Sequence, residues 1–515
     1  MTVDQGKAAT NQPGTPTTTP GNRLSRWLAQ PWVALIPGLT TLAVTLNGLA
    51  GPSFTRDESA TMLAVHRSFP QLVRMLGNVD VVHGAYYSMI WVVTQVAGSS
   101  ALVVRFPSAV AAAVTAAMVA LLGQRLVSGE AGLAAGLVYA ALPPVSGYAE
   151  IAREYAVVAA LASLASYLLV LVLDSASSRR WLLVGYGVTV AALGLTNIFG
   201  LLLLPAHAVA VAARVRQPGV DRQRLVRGWL VAGGAGFLAA SPVALVGLGQ
   251  ISQVAWIKPP GLNAFYGMAS LVGNAPLVWV ALVVIIASVA LRAVGGLSQI
   301  QAYWPGRLVA LAVPWLVLPP ALLFTASYLL HPVYVFRYVA FCIPASALLI
   351  GTGLVALGRV TAVAGLLVIV ALGLPAQAAE RLPAGHGYAI RQIDRVVQQQ
   401  ARPGDVLLNT RFRPLSRSAG MERQLEAAYP FGLSQLRDVS QGVSPAASAT
   451  LGGTFAPPNV IRDRLAGASR VWVAGWSPEV PSVLRAEGFT PRQHWFLKQV
   501  WLWLYERGTP APSQP

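Results

Sequence analysis

The sequence predicts an α-helical polytopic membrane protein, with about eleven transmembrane helices and a small C-terminal α/β domain outside the membrane. Of its 515 residues, 55% are hydrophobic and 11% are charged, against about 25% charged in an average soluble domain. Apolar runs long enough to cross a bilayer follow one another from about residue 32 to about residue 378. After about residue 380 the composition changes to that of a soluble domain.

The N-terminal segment, residues 1–30, is polar and rich in Thr, Pro, Gln and Gly, a composition that predicts a disordered tail. Arg23 and Arg26 precede the first apolar run, residues 32–50, which as a helix reaches about 28 Å and can cross the hydrocarbon core. The other predicted spans lie near residues 102–123, 131–147, 155–173, 181–195, 198–213, 229–247, 270–291, 308–329, 338–357 and 361–378.

Residues 51–101 form the predicted first outer loop, with interfacial helices. Apolar positions within residues 58–76 are spaced as in an amphipathic helix that lies along a surface. Residues 84–97 are short for a span and carry two tyrosines and Trp91, which are typical of a membrane interface. We therefore expect residues 84–97 to lie in the headgroup layer without crossing the membrane.

This assignment places most loop arginines at one membrane face, as the positive-inside rule requires. If residues 84–97 crossed, the arginine-rich loop 214–227 would be exported. We therefore expect a transmembrane domain over residues 31–379 with its N-terminal tail in the cytoplasm. The arginines assigned to the cytoplasmic face are Arg125, Arg179, Arg180, Arg214, Arg216, Arg222, Arg224, Arg227, Arg292, Arg307 and Arg359.

The C-terminal segment, residues 380–507, is predicted to be the extracytoplasmic α/β domain, followed by a second disordered tail at 508–515. A helical stripe of aliphatic residues runs from Ile390 to Val397. Short strands are predicted at 406–408, 471–473 and 499–505, which together suggest a partly Rossmann-like sheet.

Several function classes lack support in the sequence. The formal net charge of +18 follows from membrane topology and does not indicate nucleic-acid binding. The single cysteine, Cys342, lies within an apolar run, which excludes disulfides and cysteine-ligated zinc. Neither a phosphate-binding G-x-x-x-x-G-K-[ST] motif nor H-E-x-x-H occurs, so nucleotide-driven transport and zinc hydrolysis are not indicated. No cofactor is predicted, and a divalent metal is left open.

The acidic residues of the membrane body gather at one face. Only nine of the nineteen acidic residues precede the C-terminal domain, and five of the nine fall in two outer loops. Because charged groups near hydrocarbon are costly unless paired or solvated, this gathering predicts a functional site at the outer face. The five are Asp57, Glu58, Asp80, Glu150 and Glu154.

These acids also have a plain structural interpretation, as solvated loop charges or helix caps. Asp57 and Glu58 can be first-turn acids that the helix dipole favours. Glu150 and Arg153 can form a local ion pair at a helix end, worth about 0–1 kcal/mol. Glu154 reads as structural, and a lone His83 is more often structural than a ligand.

An arginine in an outer loop departs from the topological bias. Arg337 stands between Tyr334 and Tyr338 in the loop before the predicted span 338–357. A guanidinium suits bidentate contact with a phosphate. The alternative is an interface anchor whose charged end reaches toward water beside the two tyrosines.

The order of these motifs resembles that of the GT-C polytopic glycosyltransferases, the class that includes protein O-mannosyltransferases and the aminoarabinose transferases of lipid A. The resemblance covers roughly residues 30–380. The segment from Asp80 to Tyr87 departs from the family's usual Asp-x-His-Pro-Pro-x-Tyr-Tyr, since both prolines are missing and His83 is shifted. The motifs are Arg56-Asp57-Glu58, Asp80-Val81-Val82-His83-Gly84-Ala85-Tyr86-Tyr87, Arg105-Phe106-Pro107-Ser108-Ala109, Glu150-Ile151-Ala152-Arg153-Glu154-Tyr155-Ala156 and Arg337-Tyr338.

The resemblance implies an inverting transfer of a mannose- or arabinose-like sugar from a polyprenyl-phosphate donor to a hydroxyl of a glycan, lipid or protein acceptor. It places the catalytic acid in the first outer loop, which matches Asp57, with Glu58 beside it. A carboxylate that removes the acceptor's proton typically contributes about 10²- to 10⁴-fold, and Arg337 or Arg153 would stabilise the leaving phosphate. The further candidate substrate-binding residues are Asp80, His83, Tyr87, Glu150, Tyr155 and Tyr338.

Two other functions stay open at this point. A transporter or flippase of a lipid-linked envelope precursor usually places ionisable groups near the bilayer midplane, where the predicted spans of this chain have no acids. A non-catalytic assembly partner would be favoured if Asp57 and Arg337 were far apart. It would also be favoured if their pocket were closed to lipid, so the distance among Asp57, Glu150 and Arg337 is the structural observation that tests the glycosyltransferase hypothesis most directly.

Overall fold

The computed structural model describes residues 31–175, 180–261, 267, 269–294, 302–409, 423–475 and 482–508. The predicted tails lie outside these residues, apart from Gly508. Helices dominate up to residue 400 and strands appear only after it, which confirms the predicted fold class.

The membrane body consists mostly of apolar helices. Its helices are α1 Trp32–Leu46, α2 Arg56–Val65, α3 Phe69–Leu76, α4 Gly84–Ala97, α5 Ala101–Leu126, α6 Gly129–Ala141, α7 Pro143–Ala149, α8 Tyr155–Asp174, α9 Arg180–Thr196, α10 Leu203–Val215, α11 Arg222–Gly249, α12 Ala275–Val294, α13 Gly306–Leu329, α14 Ile343–Ala356 and α15 Arg359–Glu380. Short 3₁₀ helices lie at Val81–His83, Ile198–Leu202, Ile251–Val254 and Phe336–Cys342.

The predicted apolar runs lie mainly in helices, but the bounds differ, since the run 32–50 leaves its helix after Leu46 and the run 270–291 enters its helix at Ala275. In the described part of the chain, eight helical segments are long and apolar enough to cross a bilayer, and α1 and α9 are shorter apolar helices. The run predicted at 131–147 is two helices, because Pro143 begins α7 after α6 has ended at Ala141. Length therefore supports eight spans, and the figure of eleven stays a prediction.

The body is held together by close packing of small residues, as is usual where lipid removes the hydrophobic drive between helices. Helix α14 is buried along almost its whole length. A Cβ atom added at Gly351 in α14 would lie 2.4 Å from the backbone of Ala135 in α6. A Cβ atom at Gly132 would lie 2.3 Å from the carbonyl oxygen of Ala120 in α5. These glycines let α6 touch both neighbours backbone to backbone.

Charged residues segregate to the two ends of the bundle. At one end Arg125 pairs with Asp174 at 2.8 Å, and Arg359 pairs with Glu130 at 2.6 Å. Helix α8 ends at Asp174 and begins at Tyr155, about 30 Å away. Tyr155 directly follows the acidic segment 150–154, so the predicted arginine-rich loops and the predicted site occupy opposite ends.

The first outer loop contains more helices than predicted. The stretch 58–76, predicted as one amphipathic helix, is the two helices α2 and α3. The break has a local cause, since Ser68 and Gln71 form a capping box that starts α3 and Pro70 lies in its first turn. Residues 84–97 form the helix α4 within the predicted bounds.

The C-terminal domain is a mixed sheet of five strands, β1 Val406–Asn409, β2 Arg437–Asp438, β3 Arg470–Gly475, β4 Phe489–Leu497 and β5 Val500–Arg507. Their order in the sheet is β2-β1-β3-β5-β4. Strand β1 is parallel to β2 and β3, whereas β5 is antiparallel to β3 and β4. Strands β1, β3 and β5 coincide with the predicted strands, but β2 and β4 are absent from the prediction. The other elements are α16 Ile390–Gln400, α17 Gln424–Ala427, a 3₁₀ helix Gly432–Gln435, α18 Pro445–Ser448, α19 Pro458–Leu465 and α20 Ser482–Ala486.

This domain packs on the first outer loop. Phe54 stacks on Tyr429 with ring centroids 5.0 Å apart, and its backbone N–H donates to the Tyr429 hydroxyl at 2.7 Å. Arg67 donates to the carbonyl oxygens of Thr450 and Leu451 at 2.6 and 2.8 Å. One hydrophobic cluster runs from the loop into the domain, so both belong to the same end of the molecule.

Candidate active site

A buried ion pair between α2 and α5 forms the structural support, or frame, of the site. Arg105 donates from Nε and Nη2 to the two carboxylate oxygens of Glu58, at 2.7 and 3.0 Å, and neither residue is exposed. The Arg105 Nη1 group also donates to the carbonyl oxygens of Leu49 and Pro52 at 2.8 and 3.1 Å. Burial alone would raise the pKa of Glu58, but the Arg105 guanidinium holds it below its ordinary value. The pair ties α5 to the chain that leaves α1.

The carboxylate of Glu58 is fully engaged. Its Oε1 atom also accepts from the backbone N–H of Ala152 at 2.9 Å, and its Oε2 atom accepts from the N–H of Thr55 at 2.8 Å. The latter contact is half of a capping box that begins α2. Glu58 therefore fixes the start of α2 and the loop before α8, and it has no free oxygen for a substrate proton.

Asp57, one residue earlier, faces the other way. Its side chain is 40% exposed, and its Oδ2 atom lies 3.8 Å from Nε of Arg337. The two residues come from the first outer loop and from the 3₁₀ helix that leads into α14. The predicted acid and the predicted phosphate-binding arginine are thus brought together on the accessible side of the frame.

Arg153 is the centre of a hydrogen-bond network behind Asp57. Its Nη1 group donates to the Tyr87 hydroxyl at 3.0 Å and to the backbone oxygen of Asp57 at 3.5 Å. Its Nη2 group lies 2.9 Å from Nε2 of His83. Because a guanidinium only donates, this His83 nitrogen must accept and the ring proton resides on Nδ1. Arg153 therefore joins the first outer loop to the turn before α8.

Glu154 balances this cluster. Its oxygens lie 3.2 Å from Nδ1 of His83 and 3.4 Å from Nε of Arg153. Burial would raise the pKa of Glu154, yet the neighbouring His83 and Arg153 lower it to about 2. Glu154 stays ionised at neutral pH and acts as the counter-ion of Arg153, in line with the structural interpretation.

Asp80 reaches the same network from a strained turn. It adopts a left-handed backbone with φ 59°, a conformation unusual for a residue other than glycine. Its Oδ2 atom accepts from the Tyr87 hydroxyl at 3.0 Å. The amides of Asp80 and Val81 donate to the side-chain oxygens of Gln253 and Gln250, at 3.2 and 3.0 Å. The segment after α11 thus holds the turn that carries Asp80.

Aromatic rings surround Arg337. Its guanidinium carbon lies 5.7 Å from the ring centroids of both Trp256 and Tyr338, and Tyr338 stacks on Phe199 at 5.1 Å. Rings at this distance attract a cation while leaving its N–H groups for an anion. The arginine is therefore oriented by side contacts beside Asp57.

The remaining predicted residues lie around this centre. Tyr155 is buried at the start of α8 and meets Tyr148 edge-on at 5.3 Å. Glu150 does not pair with Arg153, as the alternative interpretation had it, but lies 3.4 Å from Nη2 of Arg381. It is fully buried, and desolvation raises its pKa to about 7 against the attraction of Arg381.

Four residues that matter here were not among the predicted site residues. Arg105 belongs to one of the motifs of the resemblance, whereas no sequence pattern singles out Arg381 or Trp256. His386 is nearly buried, and within the described residues neither of its ring nitrogens has a hydrogen-bond partner. An arginine inside an apolar run is itself a signal, because it must face the protein interior and find a carboxylate.

The described residues contain no group of three or more His, Cys, Asp or Glu side chains placed to hold a metal ion. Two guanidinium groups, those of Arg153 and Arg337, lie next to Asp57. Such an arrangement can bind a phosphate and accept a proton from a neutral hydroxyl.

Comparison with protein families identifies a related class. Residues 85–246 match the family model described as dolichyl-phosphate-mannose-protein mannosyltransferase. The match covers about a third of the chain, from α4 to α11, and begins after Asp57 and Asp80. No protein of curated function matches the chain in sequence.

Solved structures share the fold. The chain is similar to ArnT from Cupriavidus metallidurans in the apo state, with a TM-score of 0.59, 13% identity, and coverage of 94% of this chain and 98% of that chain. ArnT bound to undecaprenyl phosphate gives a TM-score of 0.57 at 12% identity, covering 95% and 100% of the two chains. The oligosaccharyltransferase from Archaeoglobus fulgidus gives 0.45 at 12% identity, covering 86% and 67%.

The family match and the ArnT fold confirm the predicted resemblance to the GT-C glycosyltransferases. The family model is that of an enzyme class, in agreement with the prediction of a glycosyltransferase. The full-length fold match also includes the C-terminal domain, for which the sequence offered no family motif.

Proposed function

We propose that this protein is a membrane glycosyltransferase that moves a sugar from a polyprenyl-phosphate donor to an acceptor hydroxyl, with inversion at the anomeric carbon. One observation carries the proposal. Asp57 is accessible, stands on a capped helix start fixed by Glu58 and Arg105, and lies 3.8 Å from Arg337. A base and a phosphate-binding cation are thereby adjacent without neutralising each other by a tight hydrogen bond.

The comparisons support the lipid-linked donor. The matching family is described by its dolichyl-phosphate-mannose donor, and one of the similar ArnT structures is bound to undecaprenyl phosphate. A lipid-carried donor also suits a site at the outer face, where a bacterial membrane has no pool of nucleotide sugars. The mannose in the family description agrees with the mannose-like alternative among the predicted sugars.

The reaction follows from the positions of the charges. The acceptor oxygen attacks the anomeric carbon while Asp57 takes its proton, and the bond between that carbon and the phosphate oxygen breaks. The electron pair leaves with the lipid phosphate, whose developing charge Arg337 stabilises from the aromatic side and Arg153 from the network side. A single displacement of this kind inverts the configuration.

Glu58 has a different part in this scheme. Both of its oxygens are engaged by Arg105 and by backbone N–H groups, so we assign it to positioning and Asp57 alone to proton transfer. Tyr87, Asp80 and His83 hold Arg153 in place. Glu150 and Arg381 belong to the wall behind the site.

We also propose that the site faces the extracytoplasmic side. The end with Arg125, Arg292, Arg307 and Arg359 is richer in positive charge, and the positive-inside rule assigns such an end to the cytoplasm. Because α1 leads from residue 31 toward the Arg105 contact at Leu49, the N-terminal tail then begins in the cytoplasm.

The deciding experiment is mass spectrometry of lipid-linked sugars and envelope glycans in a deletion strain complemented with variants. We expect Asp57→Asn to accumulate the donor and to lack the glycan, as the deletion does, while the variant inserts and folds normally. Glu130→Gln, at the opposite end, is the matched control and should restore the product. Normal product with Asp57→Asn would contradict the assigned base, and an unchanged pool of lipid-linked sugars in the deletion strain would contradict the proposed function.

A further inference from the structure

A cavity of about 170 Å³ lies at the arginine-rich end of the bundle, between α5, α8, α10 and α13. It is distant from the candidate active site, because α8 separates its ends by about 30 Å. Its aliphatic walls and its polar lining come from different residues. The walls are Leu126, Val170, Leu173, Ala210, Ala213 and Leu311, and the polar lining is Arg214, Gln217 and Arg307.

Positive charge exceeds negative charge beside this cavity. Asp174 serves two arginines, since its Oδ2 atom accepts from Arg125 at 2.8 Å and its Oδ1 atom accepts from Nη2 of Arg307. Arg214 donates from Nε to the backbone oxygen of Leu173 at 2.9 Å and from Nη1 to Gln217 at 2.8 Å, and both acceptors are uncharged. Arg125 and Arg307 thus share one carboxylate, and the bonds of Arg214 go to neutral oxygens.

The two lining arginines keep donors for a ligand. In the part of the chain that the structure describes, Nη2 of Arg214 and Nη1 of Arg307 have no hydrogen-bond partner. A guanidinium with free N–H groups beside an apolar recess calls for an anion that carries a hydrocarbon chain. A free anion would satisfy the arginines but leave the aliphatic walls uncovered.

We propose that this cavity binds an anionic phospholipid of the leaflet opposite the active site. Its phosphate is bound by Arg214 and Arg307, and the first part of an acyl chain lies along Leu126, Val170 and Leu311. The ligand contacts four helices at once, so its binding energy stabilises their packing by mass action. The site is separate from that of the sugar donor, and its occupancy does not depend on the proposed reaction.

The test compares thermal unfolding of the purified protein in mixed micelles with phosphatidylglycerol and with phosphatidylcholine. We expect phosphatidylglycerol to raise Tm more, and native mass spectrometry to find it retained on the protein. The double variant Arg214→Gln/Arg307→Gln should bind it with a roughly tenfold weaker apparent affinity. Arg359→Gln is the matched control, because Arg359 lies at the same end, pairs with Glu130 and does not line the cavity.

A second variant covers the case in which the double variant does not fold. Ala213→Phe fills the cavity without removing a charge, and it should abolish the difference between the two lipids. The proposal is overturned if phosphatidylglycerol and phosphatidylcholine act alike on the wild type, or if either variant retains the full preference. It is also overturned if glycerol phosphate alone reproduces the shift, because the cavity would then bind an anion and not a lipid.

Discussion

The carboxylate of Asp57 and the guanidinium of Arg337 lie 3.8 Å apart, although one belongs to the first outer loop and the other to the segment before α14. Their separation is short enough for an ion pair and too long for a hydrogen bond. A donor phosphate can therefore bind to Arg337 while an acceptor hydroxyl binds to Asp57.

Replacement of Arg337 tests the cation. We expect Arg337→Ala to lower the rate of transfer by about 10²-fold, since a fixed cation at a developing charge is typically worth that much. Arg337→Lys should recover part of the loss, as a point charge without the planar fork. Kinetics with a purified lipid-phosphate sugar measure both variants. Arg359→Ala is the control, and an Arg337→Ala enzyme with wild-type rate and donor affinity would refute the role.

We expect a substitution in the pair of Glu58 and Arg105 to affect the stability of the protein first. Removal of one partner of a buried ion pair costs about 3–5 kcal/mol, so Glu58→Ala is expected to lower Tm strongly and Asp57→Ala to leave it nearly unchanged. Thermal unfolding in detergent compares the two variants. The opposite finding, a stably folded Glu58→Gln protein as inactive as Asp57→Asn, would make Glu58 part of the chemistry.

Glu150 predicts a pH dependence of stability. Burial raises its pKa from 4.5 to about 7 in the folded protein. The native state then holds a proton that the unfolded state has lost, so this residue's contribution to stability is present below pH 4.5 and declines as pH rises to about 7. We expect the Tm difference between Glu150→Gln and wild type to grow in favour of the variant over this interval. Parallel Tm curves for the two proteins would contradict the assignment.

The glycine contact between α6 and α14 predicts a packing defect. In Gly351→Ala the new Cβ atom would lie 2.4 Å from the Ala135 backbone, so the helices must separate. Overpacking of this kind costs about 1–3 kcal/mol. Gly147→Ala is the control, because a Cβ atom there meets nothing within 4 Å. The yield of monodisperse protein and its Tm report the difference. Equal values for both variants would show that α6 and α14 separate without loss of stability.

The sequence predicts the fold well because hydropathy and arginine placement are one-dimensional signals. Residues 84–97 illustrate this, since their length and aromatic content identify a short helix that the structure reproduces within the same bounds. The split of 58–76 into α2 and α3 was missed although its local signals, Ser68, Pro70 and Gln71, are visible in the sequence.

The site was harder to predict, and the reason is geometric. Asp57 and Glu58 are neighbours on a helix, where successive side chains point about 100° apart, so one faces the interior and the other the solvent. Which of the two carboxylates faces the interior depends on Arg105, which lies on another helix. In the same way Glu150 pairs with Arg381 from the far end of α15, a partner that no spacing rule connects to it.

The contacts between the C-terminal domain and the first outer loop determine what a truncated protein can reveal. Arg391 donates to the carbonyl oxygens of Ala50 and Gly51 at 2.9 and 2.8 Å, and Tyr429 holds the amide of Phe54. These contacts precede Asp57 by only a few residues. A chain truncated after Glu380 would lose the support of the segment before Asp57 together with the domain, so its inactivity would carry no information on whether the domain recruits the acceptor.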